Sequence, residues 1–237
     1  MRPTLFPIHR PRVGISVSAS ALSLVALRRP WFRRPIVKQV LERPLPSGLL
    51  KVSATEPHIT DLDAFAQELR ALTEGLSERT IALSVPNRAM HMGVFAFDRF
   101  PDDPEERAGL IKWRFREDLN LTIGDARVML RVFPTGTRTQ VLAVAVRQTI
   151  LDQYEDVCGR AGLIPVSMGF SHLQLIGLYR RLMKGTRRLC VMHWTGDEFM
   201  LLLFDQGQPV FLRTKSMTGG TQDLRRRARA GTGGRRR

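Results

Sequence analysis

Short apolar runs that alternate with amphipathic helical segments constrain the fold of this chain more than any other feature of its sequence. In residues 13–17 every second residue is apolar, which is typical of a strand with one buried face. In residues 61–74 the apolar residues recur every three or four positions, as in a helix that packs one side against a core. Strands that precede and alternate with helices favour an α/β protein with a mixed sheet. Hydrophobic residues make up 43% of the 237, so a buried core in one large or two small domains is expected.

The periodicity and the turn residues predict the position of each element. Thr60 is predicted to cap the first helix at its N-terminus and Gly75 to end it. Turns are predicted at 18–21, 134–137 and 206–207, where Ser, Pro, Thr, Gln and Gly residues interrupt the apolar runs. The predicted strands are 13–17, 22–27, 49–53, 80–86, 92–98, 126–133, 139–147, 164–170, 188–194, 198–205 and 209–214, and the predicted helices are 61–74, 104–119, 149–160 and 171–184.

The formal net charge of +15 is concentrated at the two ends of the chain. Residues 1–43 hold nine Lys and Arg residues and one acidic residue, and residues 223–237 hold seven Arg residues and Asp223. The residues between are nearly balanced, with 21 Lys and Arg against 20 Asp and Glu. A nucleic-acid-binding domain usually presents a basic face of its own, so specific nucleic-acid binding is not expected. No apolar run approaches the roughly 20 residues that a membrane-spanning helix needs.

Cysteine and histidine, the residue types that most often act as nucleophiles or metal ligands, are few in this chain. Two cysteines, Cys158 on a predicted helix and Cys190 in a predicted buried strand, are expected to be structural thiols. The five histidines have no metal-binding spacing, so no metal centre is expected. Trp113, Phe95 and Phe97 are expected to pack in the core of a small subdomain, with a role for Trp113 as a partner anchor as the alternative.

Five segments together resemble the PilM-like proteins, the actin-like cytoplasmic components of type IV pilus assembly. The resemblance extends over about residues 13–224 and includes a strand–helix–strand passage in which the helix ends at Ala161 and Gly162. The segments are VGISVSASALSLVAL (13–27), SVPNRAMHM (84–92), EERAGLIKWRFREDLN (105–120), VLAVAVRQTILDQYEDVCGRAGLIPVSMG (141–169) and GQPVFLRTKSMTGG (207–220).

The resemblance implies an actin-like, ribonuclease H-like α/β fold. Residues 13–187 would form the first lobe, with a small α+β subdomain inserted at about 88–147, and residues 188–224 would be the first strands of a second lobe. Residues 1–12 would be a basic N-terminal segment and residues 225–237 a disordered basic tail. The tail is either a genuine basic arm or the result of truncation or a frameshift. Truncation is favoured, because the tail begins where the resemblance stops.

Active members of this superfamily hold Mg-ATP between two phosphate-binding hairpins, and the resemblance implies that both hairpins have changed here. In the first hairpin, Ser16 stands at the aspartate position, Ser18 at the glycine position and Ser23 at the lysine position. In the second, His193 stands at the aspartate position and Thr195 at the glycine position. Loss of both carboxylates removes the groups that hold the metal, so neither ATP nor magnesium is an expected cofactor and the protein is expected to be a pseudo-ATPase.

The function implied by the resemblance is that of a non-catalytic scaffold. It would dock the cytoplasmic segment of a PilN-like inner-membrane protein and contact other pilus assembly proteins. The protein would therefore be cytoplasmic and peripheral at the inner membrane, with indirect membrane association. One alternative is a type II secretion component resembling GspL, and the other is an active actin-like ATPase, which would require the missing aspartates.

Overall fold

A computed structural model describes residues 11–28, 35–119, 124–135, 138–183, 186–195 and 198–216. The chain divides into two compact units, which are described separately. Unit 1 comprises Met1–Ala89 and Arg147–Gln174, and unit 2 comprises Met90–Val146 and Leu175–Arg237.

The centre of unit 1 is a five-stranded mixed sheet with the order β3-β2-β1-β4-β8. The central strand β1 pairs antiparallel with β2 and parallel with β4, and β4 pairs parallel with β8. The parallel connections place helices between the strands in sequence, as the alternating pattern predicts. The strands are β1 (Val13–Val17), β2 (Ala21–Arg28), β3 (Ile36–Pro44), β4 (Thr80–Val85) and β8 (Ile164–Phe170).

Two helices cover the apolar residues of this sheet. Helices α1 (Leu62–Leu72) and α3 (Gln148–Arg160) contact each other and the sheet. Arg160 on α3 is paired with Asp63 on α1 at 2.8 Å, so the two helices are also linked at the surface. The buried residues of the sheet and helices include Val13, Ile15, Val17, Leu22, Leu24, Phe65, Leu69, Ile81, Leu83, Ile150 and Tyr154.

The third strand of unit 1 is not where the sequence predicts it. Residues 49–53 form no strand, and only Leu50 makes an isolated bridge, to Ile59. The strand beside β2 is β3, which lies at the edge of the sheet and pairs with β2. Leu49 and Leu50 are buried, so the apolar pair that suggested a strand belongs to a packed loop.

The N-cap of helix α1 is one residue later in the sequence than predicted. The carboxylate of Asp61 accepts a hydrogen bond from the backbone N–H of Ala64 at 2.9 Å, which makes Asp61 the N-cap. The Thr60 hydroxyl instead donates to the carbonyl oxygen of Gly48 at 3.0 Å. The helix ends at Leu72, and Gly75 follows it with a φ of 75°.

The loop before α1 is fixed to α3 by buried polar contacts. The side-chain oxygen of Gln153 accepts hydrogen bonds from the backbone N–H groups of His58 and Ile59 at 2.8 and 2.9 Å. The fully buried His58 ring contacts the carbonyl oxygen of Ser53 through Nε2 and the Tyr154 hydroxyl through Nδ1, the latter at 3.0 Å. A carbonyl oxygen can only accept, so Nε2 carries the proton and the Tyr154 hydroxyl donates to Nδ1.

Unit 2 begins with a three-stranded sheet, with the order β5-β7-β6, packed against helix α2. Phe95 and Phe97 lie in this core, as predicted, and the ring of Phe95 meets that of Phe115 edge to face with centroids 5.2 Å apart. The sequence-based expectation for Trp113 is wrong, because its side chain is 46% exposed on α2. The elements are β5 (Met90–Phe97), α2 (Pro104–Leu119), β6 (Ala126–Thr135) and β7 (Arg138–Arg147).

The remainder of unit 2 is an antiparallel sheet with the order β11-β10-β9. Gln206 and Gly207 form the predicted turn between β10 and β11, with φ values of 50° and 79° that suit a tight hairpin. The predicted turn at 134–137 falls partly outside the described residues, and β6 continues to Thr135. Cys190 is exposed rather than buried, which corrects the expectation for that strand. The strands are β9 (Arg188–Thr195), β10 (Glu198–Asp205) and β11 (Gln208–Ser216), and helix α4 (Ser171–Met183) precedes them, with residues 171–174 in unit 1 and the remainder in unit 2.

Four α-helices are present in the described residues, and none is both long enough and apolar enough to cross a membrane.

The buried His58 makes the stability of the protein sensitive to pH. Burial is the main cause that lowers the pKa of His58 below its ordinary value of 6.5, and the nearby Arg88 lowers it further against the opposing hydrogen bond to Ser53. The unfolded chain therefore binds the proton more readily than the folded chain. Stability is fully present above about pH 6.5 and is lost as the pH falls below that value.

We expect the melting temperature to decrease when the pH is lowered from about 7.5 to about 5.5, and we expect this decrease to be smaller in a His58→Gln variant. Thermal unfolding monitored by circular dichroism at several pH values measures the slope. His193 has a lowered pKa through partial burial as well, so a residual slope remains in that variant. His91→Gln is the control for replacing a histidine elsewhere, and an equal reduction of the slope in both variants would contradict the assignment.

Gly93 is required by the packing of Phe95. A Cβ atom at Gly93 would lie 2.5 Å from Cζ of the Phe95 ring, and that ring is buried against Phe115. Gly93→Ala should therefore lower the free energy of unfolding by about 1–3 kcal/mol, measured by urea denaturation. Gly109→Ala on α2 is the matched control, because its Cβ would meet no atom within 4 Å and a helical alanine should add about 0.5–1 kcal/mol. Changes of the same sign would count against this packing.

Candidate functional site

The carboxyl ends of the parallel strands β1, β4 and β8 lie at one edge of the sheet in unit 1. Ser16 on β1 is opposite Ser23 on β2 and opposite Ser84 on β4, and Ser84 is in turn opposite Gly169 on β8. Opposed residues on neighbouring strands point to the same face of a sheet. The register therefore aligns Ser23, Ser16 and Ser84 in one row, which we call the serine row. Ligands of open α/β sheets bind at this edge.

The three serines of the row differ in exposure. Ser16 is exposed, Ser23 is half-buried and Ser84 is 8% exposed. Opposed residues on neighbouring strands are about 5 Å apart, so their hydroxyls form a short, uncharged strip. Sequence reasoning singled out Ser16 and Ser23 but missed Ser84, although a serine near the end of a buried strand is a usable signal.

Ser18 does not belong to the row, because its side chain closes the hairpin between β1 and β2. Its hydroxyl donates to the carbonyl oxygen of Ala21 at 2.9 Å and accepts from the Ala21 N–H at 3.1 Å. The backbone N–H of Ser18 also donates to the Ala21 carbonyl oxygen at 2.9 Å. The hydroxyl thus has a structural role in the turn, at the position where the resemblance has a glycine.

Asn87 joins the end of β4 to the beginning of α4. Its side-chain oxygen accepts from the backbone N–H of His172 and from the Ser171 hydroxyl, each at 3.1 Å. Its side-chain nitrogen donates to the Ser171 hydroxyl oxygen at 2.9 Å. One of the unpaired N–H groups at the start of α4 is satisfied in this way. The prediction did not include Asn87 or Ser171, since their proximity depends on the parallel pairing of β4 with β8.

One carboxylate lies at the end of the serine row. Glu42 on β3 is opposite Ser23, and it is exposed. Two strand spacings separate it from Ser16, or about 10 Å between backbones. The sequence could not place Glu42 here because β3 was not predicted.

The second predicted hairpin lies in unit 2. His193 is half-buried on β9, and partial burial lowers its pKa from the ordinary value. Thr195 is opposite Glu198, and its hydroxyl donates to the Glu198 carbonyl oxygen at 3.4 Å. The turn between them, residues 196–197, lies outside the described residues.

The chemistry of these residues does not match the ligand set of a magnesium–nucleotide complex. Proteins hold Mg²⁺ through carboxylate oxygens and retained waters. The serine row supplies hydroxyls, with Glu42 at its far end. Within the part of the chain that the structure describes, no three His, Cys, Asp or Glu side chains are grouped so that they could hold a metal ion.

No protein-family profile matches the chain, and no curated protein matches it by sequence. Solved structures do match. A chain of a PilM–PilN type IV pilus biogenesis complex aligns with a TM-score of 0.70 and 23% identity, over 94% of this chain and 67% of that chain.

Two other solved structures extend the comparison. A Bacteroides thetaiotaomicron protein with an actin-like ATPase fold and unknown function aligns with a TM-score of 0.51 and 10% identity, over 93% of this chain and 75% of that chain. The cytoplasmic domain of EpsL, an inner-membrane component of the Vibrio cholerae type II secretion system, aligns with a TM-score of 0.49 and 9% identity, over 86% of this chain and 70% of that chain.

The first two of these matches confirm the resemblance to PilM-like proteins at the level of the fold. The first neighbour combines the highest TM-score of the three with nearly complete coverage of this chain. The chain therefore has an actin-like α/β fold of the kind found in the PilM–PilN structure.

Proposed function

We propose that this protein is a non-catalytic scaffold of type IV pilus assembly. It acts at the cytoplasmic face of the inner membrane, where it docks the cytoplasmic segment of a PilN-like membrane protein and associates with other assembly proteins. The observation that carries the proposal is the fold match to a PilM–PilN type IV pilus biogenesis complex over 94% of this chain.

The absence of catalysis in this proposal is supported by the residues of the two hairpins. Ser16 and His193 occupy the positions at which active relatives are expected to have aspartates. A hydroxyl does not carry the charge needed to hold Mg²⁺ against water, and a half-buried imidazole is a poor ligand for this oxygen-preferring cation.

The inserted part of unit 2 offers a candidate contact for the partner. Trp113 is exposed on α2, and the Arg114 guanidinium lies 5.9 Å from the centre of its ring. Tryptophan and arginine are enriched among the residues that dominate binding energy at protein interfaces. We therefore include Trp113 as the anchor in the proposed docking.

A synthetic peptide with the cytoplasmic segment of a PilN-like protein should bind the full chain with a dissociation constant of about 1–100 μM, measured by calorimetry. Trp113→Ala should weaken this binding by about tenfold, since an anchor residue contributes more than about 1 kcal/mol. Trp194→Ala is the matched control, because Trp194 is also exposed in unit 2. A scrambled peptide that binds equally well would refute the docking, and an unaffected Trp113→Ala variant would refute the anchor.

Mg-ATP should give no binding heat at micromolar affinity, and the purified protein should not hydrolyse ATP, because neither hairpin supplies the expected carboxylate. Turnover is measured by phosphate release, with an active actin-like ATPase as the positive control. Two variants distinguish activity of this protein from that of a contaminant. Ser16→Tyr places a bulky side chain in the serine row, and Ser20→Tyr, at an exposed position in the adjacent turn, is the control. Hydrolysis that is lost only in Ser16→Tyr would show that the protein is an enzyme.

A further inference from the structure

Strand β6 forms one edge of the three-stranded sheet with the order β5-β7-β6. All three strands and helix α2 come from the contiguous residues 90–146, which lie in the sequence between the two segments of unit 1. Strand β11 contacts this sheet at β5, the opposite edge. Among the strands that the structure describes, none pairs with the outer edge of β6. Backbone N–H and C=O groups along this edge can therefore pair with a further strand.

The edge of β6 lacks the irregularities that interrupt the two edges of the sheet in unit 1. Strand β3 has a register shift at Lys38, and β8 contains Pro165 and a register shift at Val166. Bulges and prolines of this kind keep an edge from pairing with another chain. Residues 126–133 of β6 contain neither proline nor glycine. This part of β6 is therefore suited to strand addition.

One row of β6 side chains reaches the margin of the core beneath α2. Ala126 is buried in this core, and Val128 and Leu130 are half-buried against it. Helix α2 contacts β6, so the core extends as far as this edge. An apolar side chain on an added strand would cover the exposed parts of Val128 and Leu130 and enlarge the same core.

The other row of β6 side chains is cationic. Because side chains alternate along a strand, Arg127, Met129, Arg131 and Phe133 point to the opposite face. Both arginines are exposed, and the Arg131 guanidinium lies 5.0 Å from the centre of the Phe133 ring. No carboxylate of the described residues pairs with either arginine.

The positive charge of this row is local to the strand. Residues 90–146 contain eight Lys and Arg residues and eight Asp and Glu residues, so the segment as a whole is neutral. The acidic residues 102–106 and 117–118 precede or lie on α2. An added strand therefore meets an apolar row on one face and a cationic row on the other.

We propose that β6 binds an extended segment of a partner protein as an additional strand of this sheet, and that acidic and apolar residues alternate in this segment. Its acidic side chains lie beside Arg127 and Arg131. Its apolar side chains lie beside Val128 and Leu130. A second copy paired antiparallel through the same edge would bring four arginines together on one face, which repulsion between like charges disfavours. A helical partner would leave the outer backbone groups of β6 unpaired.

The probes are synthetic peptides of about eight residues, the length of the described stretch 126–133. The acidic peptide alternates glutamate with valine, and the basic peptide has lysine in place of each glutamate. Fluorescence anisotropy of labelled peptide with the full-length protein measures both affinities. The acidic peptide should bind at least about tenfold more tightly than the basic one, and the difference should shrink at high salt.

Backbone methylation tests whether the acidic peptide binds as an added strand. In an extended chain the N–H groups of successive residues point to opposite sides, so the glutamate N–H groups face one way and the valine N–H groups the other. One acidic peptide is N-methylated at its glutamates and a second at its valines. Only one of the two should lose binding, by at least about tenfold, because only one set of N–H groups donates to β6.

Charge reversal separates recognition of the cationic row from general attraction to a basic protein. Arg127→Glu combined with Arg131→Glu should reverse the preference between the acidic and basic peptides. Arg213→Glu combined with Lys215→Glu, at exposed positions of β11, makes the same change of net charge and should leave the preference for the acidic peptide in place. Circular dichroism checks that each variant is folded. Trp113→Ala should not weaken binding of the acidic peptide.

Equal binding of the acidic and basic peptides, equal effects of the two methylation patterns, or a control charge reversal as effective as that on β6 would overturn the proposal. Two further outcomes would overturn it in favour of another occupant. One is binding to phosphatidylglycerol vesicles that is lost in the β6 variant without any binding of the acidic peptide. The other is a dimer in analytical ultracentrifugation that is lost in the same variant while the acidic peptide does not bind. Because Trp113 on α2 carries the proposed PilN-like contact and β6 this one, the two failures are distinguishable.

Discussion

The period-two alternation of β1 is the constraint on which the rest of unit 1 depends. This strand is at the centre of the sheet and has a hydrogen-bonded neighbour on each side, β2 antiparallel and β4 parallel. Val13, Ile15 and Val17 are buried, so a shift of the register by one residue would expose all three and bury polar residues in their place. The apolar face thus determines which residues form the opposite face.

The position of the serine row follows from this register. Ser16 lies between Ile15 and Val17 and must point away from them, so it aligns with Ser23 and Ser84 on the neighbouring strands. The actin-like fold retains the edge at which active relatives are expected to bind phosphate, whereas the side chains at this edge carry hydroxyls. A fold can persist in this way because its core depends on the buried residues, whereas ligand binding depends on the residues between them.

The sequence predicted the elements whose pattern is decided locally. Helix α2 has the predicted bounds, because Pro104 marks its start. Strands β1, β4, β7 and β10 are within about two residues of their predicted bounds, because β1 alternates and the other three contain short apolar runs. Strand β3 was missed because Ile36 and Val37 are adjacent and an edge strand needs no regular apolar face. Its register shift near Lys38 disturbs the alternation further.

Other errors arose where a choice depends on distant residues. Thr60 and Asp61 are both good capping residues, and the carbonyl oxygen of Gly48 decides between them by accepting from Thr60. Trp113 and Cys190 lie on elements with the expected periodicity, but periodicity does not tell which face of an element another element covers. Of the predicted site, the sequence identified Ser16 and Ser23, whereas Ser84, Asn87 and Glu42 join them only through strand pairing.

Unit 1 is built from two separate segments of the chain, and this affects the order in which its strands are synthesised on the ribosome. Strand β4 ends at Val85, but its parallel neighbour β8 begins only at Ile164, after the long first segment of unit 2. At roughly 5–20 residues per second, β4 emerges several seconds before β8. During that interval one edge of a strongly apolar strand has no partner, and contiguous residues 90–146 have time to fold before the older unit is closed. The nascent chain is therefore vulnerable to aggregation in the interval between the synthesis of β4 and that of β8.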